Sequence, residues 1–107
     1  MAKRPKFTLC FAPEAIEHLD QIEPKHHGLL RRTINEQLTH TPMEETRNRK
    51  PLDWPAPFGA SCELRCGPDN CFRVFYEVDA AGHEVQVLAI GVKERNRLEI
   101  GGEEYQT

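Results

Sequence analysis

Residues 84–92, Glu-Val-Gln-Val-Leu-Ala-Ile-Gly-Val, carry apolar side chains on both sides of a two-residue repeat: Val85, Val87 and Ala89 on one side, Leu88, Ile90 and Val92 on the other. A short segment of this kind is stable as a strand only when both its faces are covered, which predicts the central strand of a sheet. The rest of the chain must supply the cover. Upstream, Phe72, Val74, Tyr76 and Val78 alternate with Arg73, Phe75, Glu77 and Asp79, the pattern of a half-buried strand joined to the first through Ala81-Gly82. Residues 61–66 alternate Cys62, Leu64 and Cys66 against Ser61, Glu63 and Arg65, and Gly67-Pro68-Asp69-Asn70 supplies turn chemistry before the next strand.

The N-terminal half supplies another strand and two helices. In residues 6–12, Phe7, Leu9 and Phe11 alternate toward a core. Pro13 suits a first helical turn, and Ile16, Leu19 and Ile22 follow at helical spacing with Glu14, Glu17 and Asp20 near the start. Pro24 opens a second helix, where Leu30, Ile34 and Leu38 form a stripe flanked by Leu29, with Arg31, Arg32, Asn35 and Glu36 toward water. Thr41-Pro42 ends it. The expected fold is α+β: a small twisted, mostly antiparallel sheet with a helical hairpin packed on one face, in the order strand-helix-helix-strand-strand-strand. The opposite face then carries Glu63, Arg65, Arg73 and Glu77. Residues 43–59, rich in proline and charge, read as a long connection without regular structure.

A chain of 107 residues makes one domain, with a folded core expected over residues 6–100 and tails at 1–5 and 101–107. No apolar run approaches the ~20 residues of a membrane span, and the basic N-terminus is too broken for a secretory signal, so the expectation is a soluble, cytoplasmic protein. With 14 basic and 17 acidic residues the net charge is −3, which excludes nucleic-acid binding through overall charge and leaves only a local patch for it. The cysteines Cys10, Cys62, Cys66 and Cys71 are expected as reduced thiols. Their spacing is not that of a structural zinc site, so no metal or cofactor is expected. Cys66 and Cys71 flank a turn, where a disulfide is geometrically conceivable; small buried side chains are the plainer reading. His18, His26 and His27 read as surface positions of the helices, and His83 as a turn residue.

The runs Cys62-Glu63-Leu64-Arg65-Cys66-Gly67, Phe72-Arg73-Val74-Phe75-Tyr76-Glu77-Val78-Asp79 and Val87-Leu88-Ala89-Ile90-Gly91-Val92-Lys93, in that order, resemble the RelE/ParE superfamily of toxins from type II toxin–antitoxin systems. Ala12-Pro13-Glu14-Ala15 and Arg47-Asn48-Arg49-Lys50-Pro51-Leu52 match as well. The resemblance implies a twisted sheet backed by a helical hairpin. It also implies one of two activities: metal-independent cleavage of mRNA in the ribosomal A site, or poisoning of DNA gyrase. The implied partners are a cognate antitoxin, the ribosome and mRNA, with no membrane and no small-molecule cofactor. By position, Arg73 is the arginine of the family's Arg-Val-x-Tyr strand, and Lys93, with Arg95 nearby, is the basic residue after the last strand's glycine. Where the family's nucleases place two lysines the chain has Ser61 and Glu63, and Tyr105 comes later than their C-terminal tyrosine, which implies weak activity.

Cleavage by 2′-hydroxyl attack needs cations around a phosphorus centre that gains negative charge. Arginine suits this, since its planar fork holds phosphate oxygens and keeps its charge near neutrality. Arg65, Arg73, Lys93 and Arg95 are therefore the expected catalytic residues, and Arg47, Arg49, Lys50 and Arg97 the expected RNA-binding residues. Trp54 and Phe58 could stack on a base or anchor their loop on the core. The plainer alternative is a solvated sheet face where the arginines pair with Glu63 and Glu77. Two functional alternatives stand beside the nuclease: a non-nucleolytic toxin of the gyrase-poison type, and a catalytically silent antitoxin-binding module.

Overall fold

The computed structural model describes residues 6–52 and 56–105. In chain order the elements are β1 (Thr8–Phe11), α1 (Pro13–Asp20), α2 (His27–Leu38), β2 (Arg49–Pro51), β3 (Cys62–Cys66), β4 (Phe72–Asp79), β5 (Glu84–Glu94), β6 (Arg97–Ile100) and β7 (Glu103–Glu104), with short 3-10 turns at Pro24–His26, Pro57–Gly59 and Pro68–Asn70. The segment apolar on both sides is indeed central. β4 runs antiparallel along one edge of β5, while the other edge is shared: β1 pairs in parallel with residues 84–87, and β6 pairs antiparallel with residues 91–94. β3 and β2 extend the sheet beyond β4, and β7 extends it beyond β6. The architecture is the expected α+β, with a mostly antiparallel sheet.

Three strands were not expected. β2 lies within the supposedly irregular connection, β6 in a charged segment, and β7 where a tail was expected to begin. β2 and β7 have no apolar alternation of their own and exist because a neighbouring strand offers them hydrogen bonds, whereas β6 does alternate, Leu98 and Ile100 against Arg97 and Glu99, within a stretch whose charge conceals it. Pro24 likewise starts a 3-10 turn, and α2 proper begins at His27.

The alternation in β5 also breaks. Phe75 opposes Ala89 but Tyr76 opposes Val87, so Leu88 is an extra residue in a β-bulge. The helix-side core therefore takes Val85, Val87 and Ile90, with Val92 packed against it, while Leu88 and Ala89 both belong to a cluster on the opposite side. Strict period-two counting had placed Ala89 with Val85 and Val87. The bulge decides which residues of the strand feed each core.

Helix α1 turns Ala15, His18 and Leu19 inward, with Ile22 just beyond its end continuing the stripe, and leaves Ile16 52% exposed. Hydrophobicity alone points to Ile16, not His18, as the inward residue. The histidine is 8% exposed for a structural reason. Ile90 lies in the interval where β1 has left β5 and β6 has not yet joined. Its N–H donates to His18 Nδ1 at 3.3 Å, so the interval is closed by a side chain. A ring accepting at Nδ1 carries its proton on Nε2 and is neutral. Burial lowers the His18 pKa from its ordinary 6.5, against an opposing pull from Glu17 and Glu14. No helix among the described residues is long and apolar enough to cross a membrane.

As pH falls through about 6.5 the unfolded chain takes up a proton at His18 that the folded chain resists, so stability decreases in that window. Thermal melts should show the melting temperature of the wild type dropping more steeply between about pH 7.5 and pH 5.5 than that of His18→Gln, which starts lower. Equal slopes would remove His18 from this role.

Candidate nucleic-acid interface

Strand register determines which side chains share the face away from the helices. Lys50, Glu63, Phe75 and Ala89 form one cross-strand row, and Arg65, Arg73, Gly91 and Ile100 form the next. Lys93 opposes Leu98, and the Tyr105 amide donates to the Leu98 carbonyl at 2.7 Å, which adds Tyr105 to that row. Lys50, Arg65, Arg73 and Lys93 are thus brought to one side of the sheet by β2, β3, β4 and β5. The hairpin after β3 fixes this register. Gly67 adopts φ 81° beneath the Phe72 ring, where a Cβ would lie 2.3 Å from a ring carbon, and Asp69 and Asn70 both adopt φ 53°.

Two arginines directly opposite each other repel. Glu63 resolves the conflict. Arg73 Nη1 donates to Glu63 Oε1 at 3.2 Å, and Arg65 Nε donates to Glu63 Oε2 at 3.4 Å. Arg73 Nε also donates to the Asn70 carbonyl at 3.1 Å. The carboxylate side chain is 6% exposed, that of Arg73 12% and that of Arg65 35%. Glu77, the other expected partner, is exposed and makes neither contact.

This face is not bare. Ala60, Phe75, Ala89 and Ile100 form a second buried cluster, with Leu52, Ala56, Leu88, Leu98 and Tyr105 packed against it. Gly91 makes the close fit possible: a Cβ there would sit 2.9 Å from both the Glu99 carbonyl oxygen and Ile100 Cγ1. Tyr105 is the residue that linear reading missed. Counted along the chain it comes too late, but Gly101 and Gly102, at φ 64° and 84°, turn it back onto the sheet. The doubled glycine ahead of an aromatic was the available signal.

The remaining candidates separate. Arg49 is 5% exposed on the helix side, where Nη1 donates to the carbonyls of Gln37 (2.7 Å) and Thr41, and Nε to Thr46 Oγ1 at 3.4 Å. Its guanidinium fastens β2 to the end of α2 and is not available to a phosphate, in contrast to the RNA-binding role expected for it. Arg47 and Lys50 are exposed, Lys50 on the cationic face. Arg95 sits exposed at φ 55° in the β5–β6 turn, and Arg97 pairs with Glu104 at 2.8 Å. Phe58 lies against His18 with ring centroids 5.2 Å apart, and Trp54 falls outside the described residues. The four cysteines are free, and burial beside Cys71 pushes the Cys66 thiol up to about 11, which makes it a poor nucleophile near neutrality.

No protein-family profile matches the chain, and no curated protein matches it in sequence. Solved structures do match. One is the crystal structure of the toxin–antitoxin complex RelBE2 from Mycobacterium tuberculosis, aligned at a TM-score of 0.63 with 20% sequence identity over 82% of this chain and 99% of that one. At that identity the likeness is one of fold.

Replacing Arg49 by Ala removes a buried guanidinium from the partly buried carbonyls of Gln37 and Thr41 and should cost about 1–3 kcal/mol in denaturant unfolding. Replacing Lys50, its neighbour on the other face, should change stability by less than about 0.5 kcal/mol.

Proposed function

We propose that this chain is a RelE-type toxin of a type II toxin–antitoxin system: a ribosome-dependent mRNA endoribonuclease that inhibits translation in the cytoplasm and is neutralised by a cognate antitoxin segment folding over its cationic face. The supporting observation is the convergence of Lys50, Arg65, Arg73 and Lys93 on one side of a sheet whose fold is that of a toxin–antitoxin component. In the proposed reaction the ribose 2′-hydroxyl gives up its proton as its oxygen attacks the adjacent phosphorus, the bond to the 5′-oxygen breaks, and that oxygen takes up a proton in exchange. The products are a 2′,3′-cyclic phosphate and a 5′-hydroxyl end. Negative charge grows on the non-bridging oxygens as the bond forms, and guanidinium donors held in place by a rigid sheet stabilise it there. Arg73 is the better anchored of the two arginines, through Asn70 and Glu63. Arg65 is the more accessible. Lys93 and the exposed Arg95 extend the positive surface at one end, and Arg47 and Arg97 remain candidates for contacts along the RNA backbone. Tyr105 brings a phenol to the same side.

The ion pairing of Glu63 favours a second reading, in which the face is neutralised and serves as a catalytically silent antitoxin-binding module or a gyrase-directed toxin. A cleavage assay on programmed ribosomes discriminates. Arg73→Ala should reduce mRNA cleavage about 100-fold while leaving the fold intact; undiminished cleavage overturns the nuclease assignment. Growth arrest with intact mRNA and damaged DNA would identify the gyrase-directed branch, and no arrest the silent module.

A further inference from the structure

Glu63 lies between the guanidiniums of Arg65 and Arg73, touching one nitrogen of each at 3.4 and 3.2 Å. Both distances exceed the ~2.7–2.9 Å of a close charge-assisted bond, and neither contact is the two-pronged seat that arginine gives a carboxylate. Donors remain in excess. Among the described residues, Nη1 and Nη2 of Arg65 and Nη2 of Arg73 have no hydrogen-bond partner. Lys50 is the register partner of Glu63 on β2 and puts a further cation on the same side of the sheet, without an ion pair to the carboxylate. A single carboxylate with two oxygens therefore sits between two guanidiniums that it neither neutralises nor saturates. A phosphodiester has the same charge, two non-bridging oxygens and a wider spread of acceptor directions.

We propose that Glu63 is an internal stand-in for the phosphodiester: it holds Arg65 and Arg73 at ligand spacing in the free protein and competes with RNA for them. The inference rests on the reading of this face as an RNA contact, and it makes Glu63 a positioning residue with an autoinhibitory charge. Without the carboxylate the two opposed guanidiniums would repel and splay. With it they are kept ready, but an incoming phosphate meets a negative charge already in place. Free RNA is consequently bound weakly, and a useful complex forms only where a larger surface such as the ribosome supplies the remaining affinity.

The test measures fluorescence anisotropy of a labelled single-stranded RNA oligonucleotide, without ribosomes, for the wild type, Glu63→Gln, Glu63→Thr, Glu63→Asp and Arg73→Ala. The two neutral variants should bind about tenfold tighter than the wild type, roughly 1.4 kcal/mol, with a salt slope steeper by about one. Glu63→Asp, which keeps the charge, should stay within about twofold of the wild type. Neutral variants that fold but bind no tighter, with Arg73→Ala still weakening binding, overturn the role of Glu63 and leave the face as the RNA contact. If Arg73→Ala has no effect even alongside Glu63→Gln, the proposal and the reading beneath it both fall. Should neither neutral variant fold, the wild type decides: the Nε–H resonances of Arg65 and Arg73 should shift together as RNA is added, and unmoved resonances overturn the proposal.

Discussion

The whole molecule leans on β5. It has β4 along one edge, β1 and β6 sharing the other, the helical hairpin over Val85, Val87 and Ile90, and a second cluster over Leu88 and Ala89. A strand enclosed on two faces and two edges must satisfy every backbone group from its neighbours, because a buried amide without a partner costs about 1–3 kcal/mol. Sharing an edge between two short strands leaves an interval, and Ile90 falls in it. The imidazole of His18 is the answer to that interval. This explains why a polar residue occupies the inward stripe of α1 in place of an aliphatic one.

The bulge at Leu88 has consequences for the opposite face. It turns two consecutive apolar residues the same way, which gives Phe75, Ile100 and Tyr105 something to pack on. Ile100 and Tyr105 from the β6–β7 edge of the sheet thereby cover one part of this face, and the cations occupy the part that remains. Sheet parity then divides labour between adjacent residues. Arg49 and Lys50 are consecutive in the chain, yet one is locked under α2 and the other lies beside Glu63, because a one-residue step along a strand reverses the face.

Charge tells the same story at a smaller scale. A chain of net charge −3 can still present a local positive surface when two guanidiniums share one carboxylate and Lys50 stands on the same side of the sheet. Within a hydrogen-bonded sheet the separation of such groups is set by strand spacing of roughly 4.8 Å and is hard to relax. The Glu63 carboxylate makes the arrangement tolerable, since like charges placed directly across a ladder destabilise it.

Local pattern was sufficient for the order of the long elements, for β5 as the centre, and for Arg65 and Arg73 on a common side, since helical stripes and two-residue alternation are properties of the segment itself. Tertiary structure alone decided the rest. β2 and β7 form because a partner strand offers hydrogen bonds, Tyr105 returns because two glycines permit left-handed turns, and His18 is buried because an amide elsewhere lacks an acceptor. Arg49 differs from Arg73 only in which side of the sheet it emerges from and what lies there. The burial of His18 and the pairing of β2 depend on partners distant in the chain, which a local periodicity does not identify, and the short hairpins of β6 and β7 form along an edge that the assembled sheet provides.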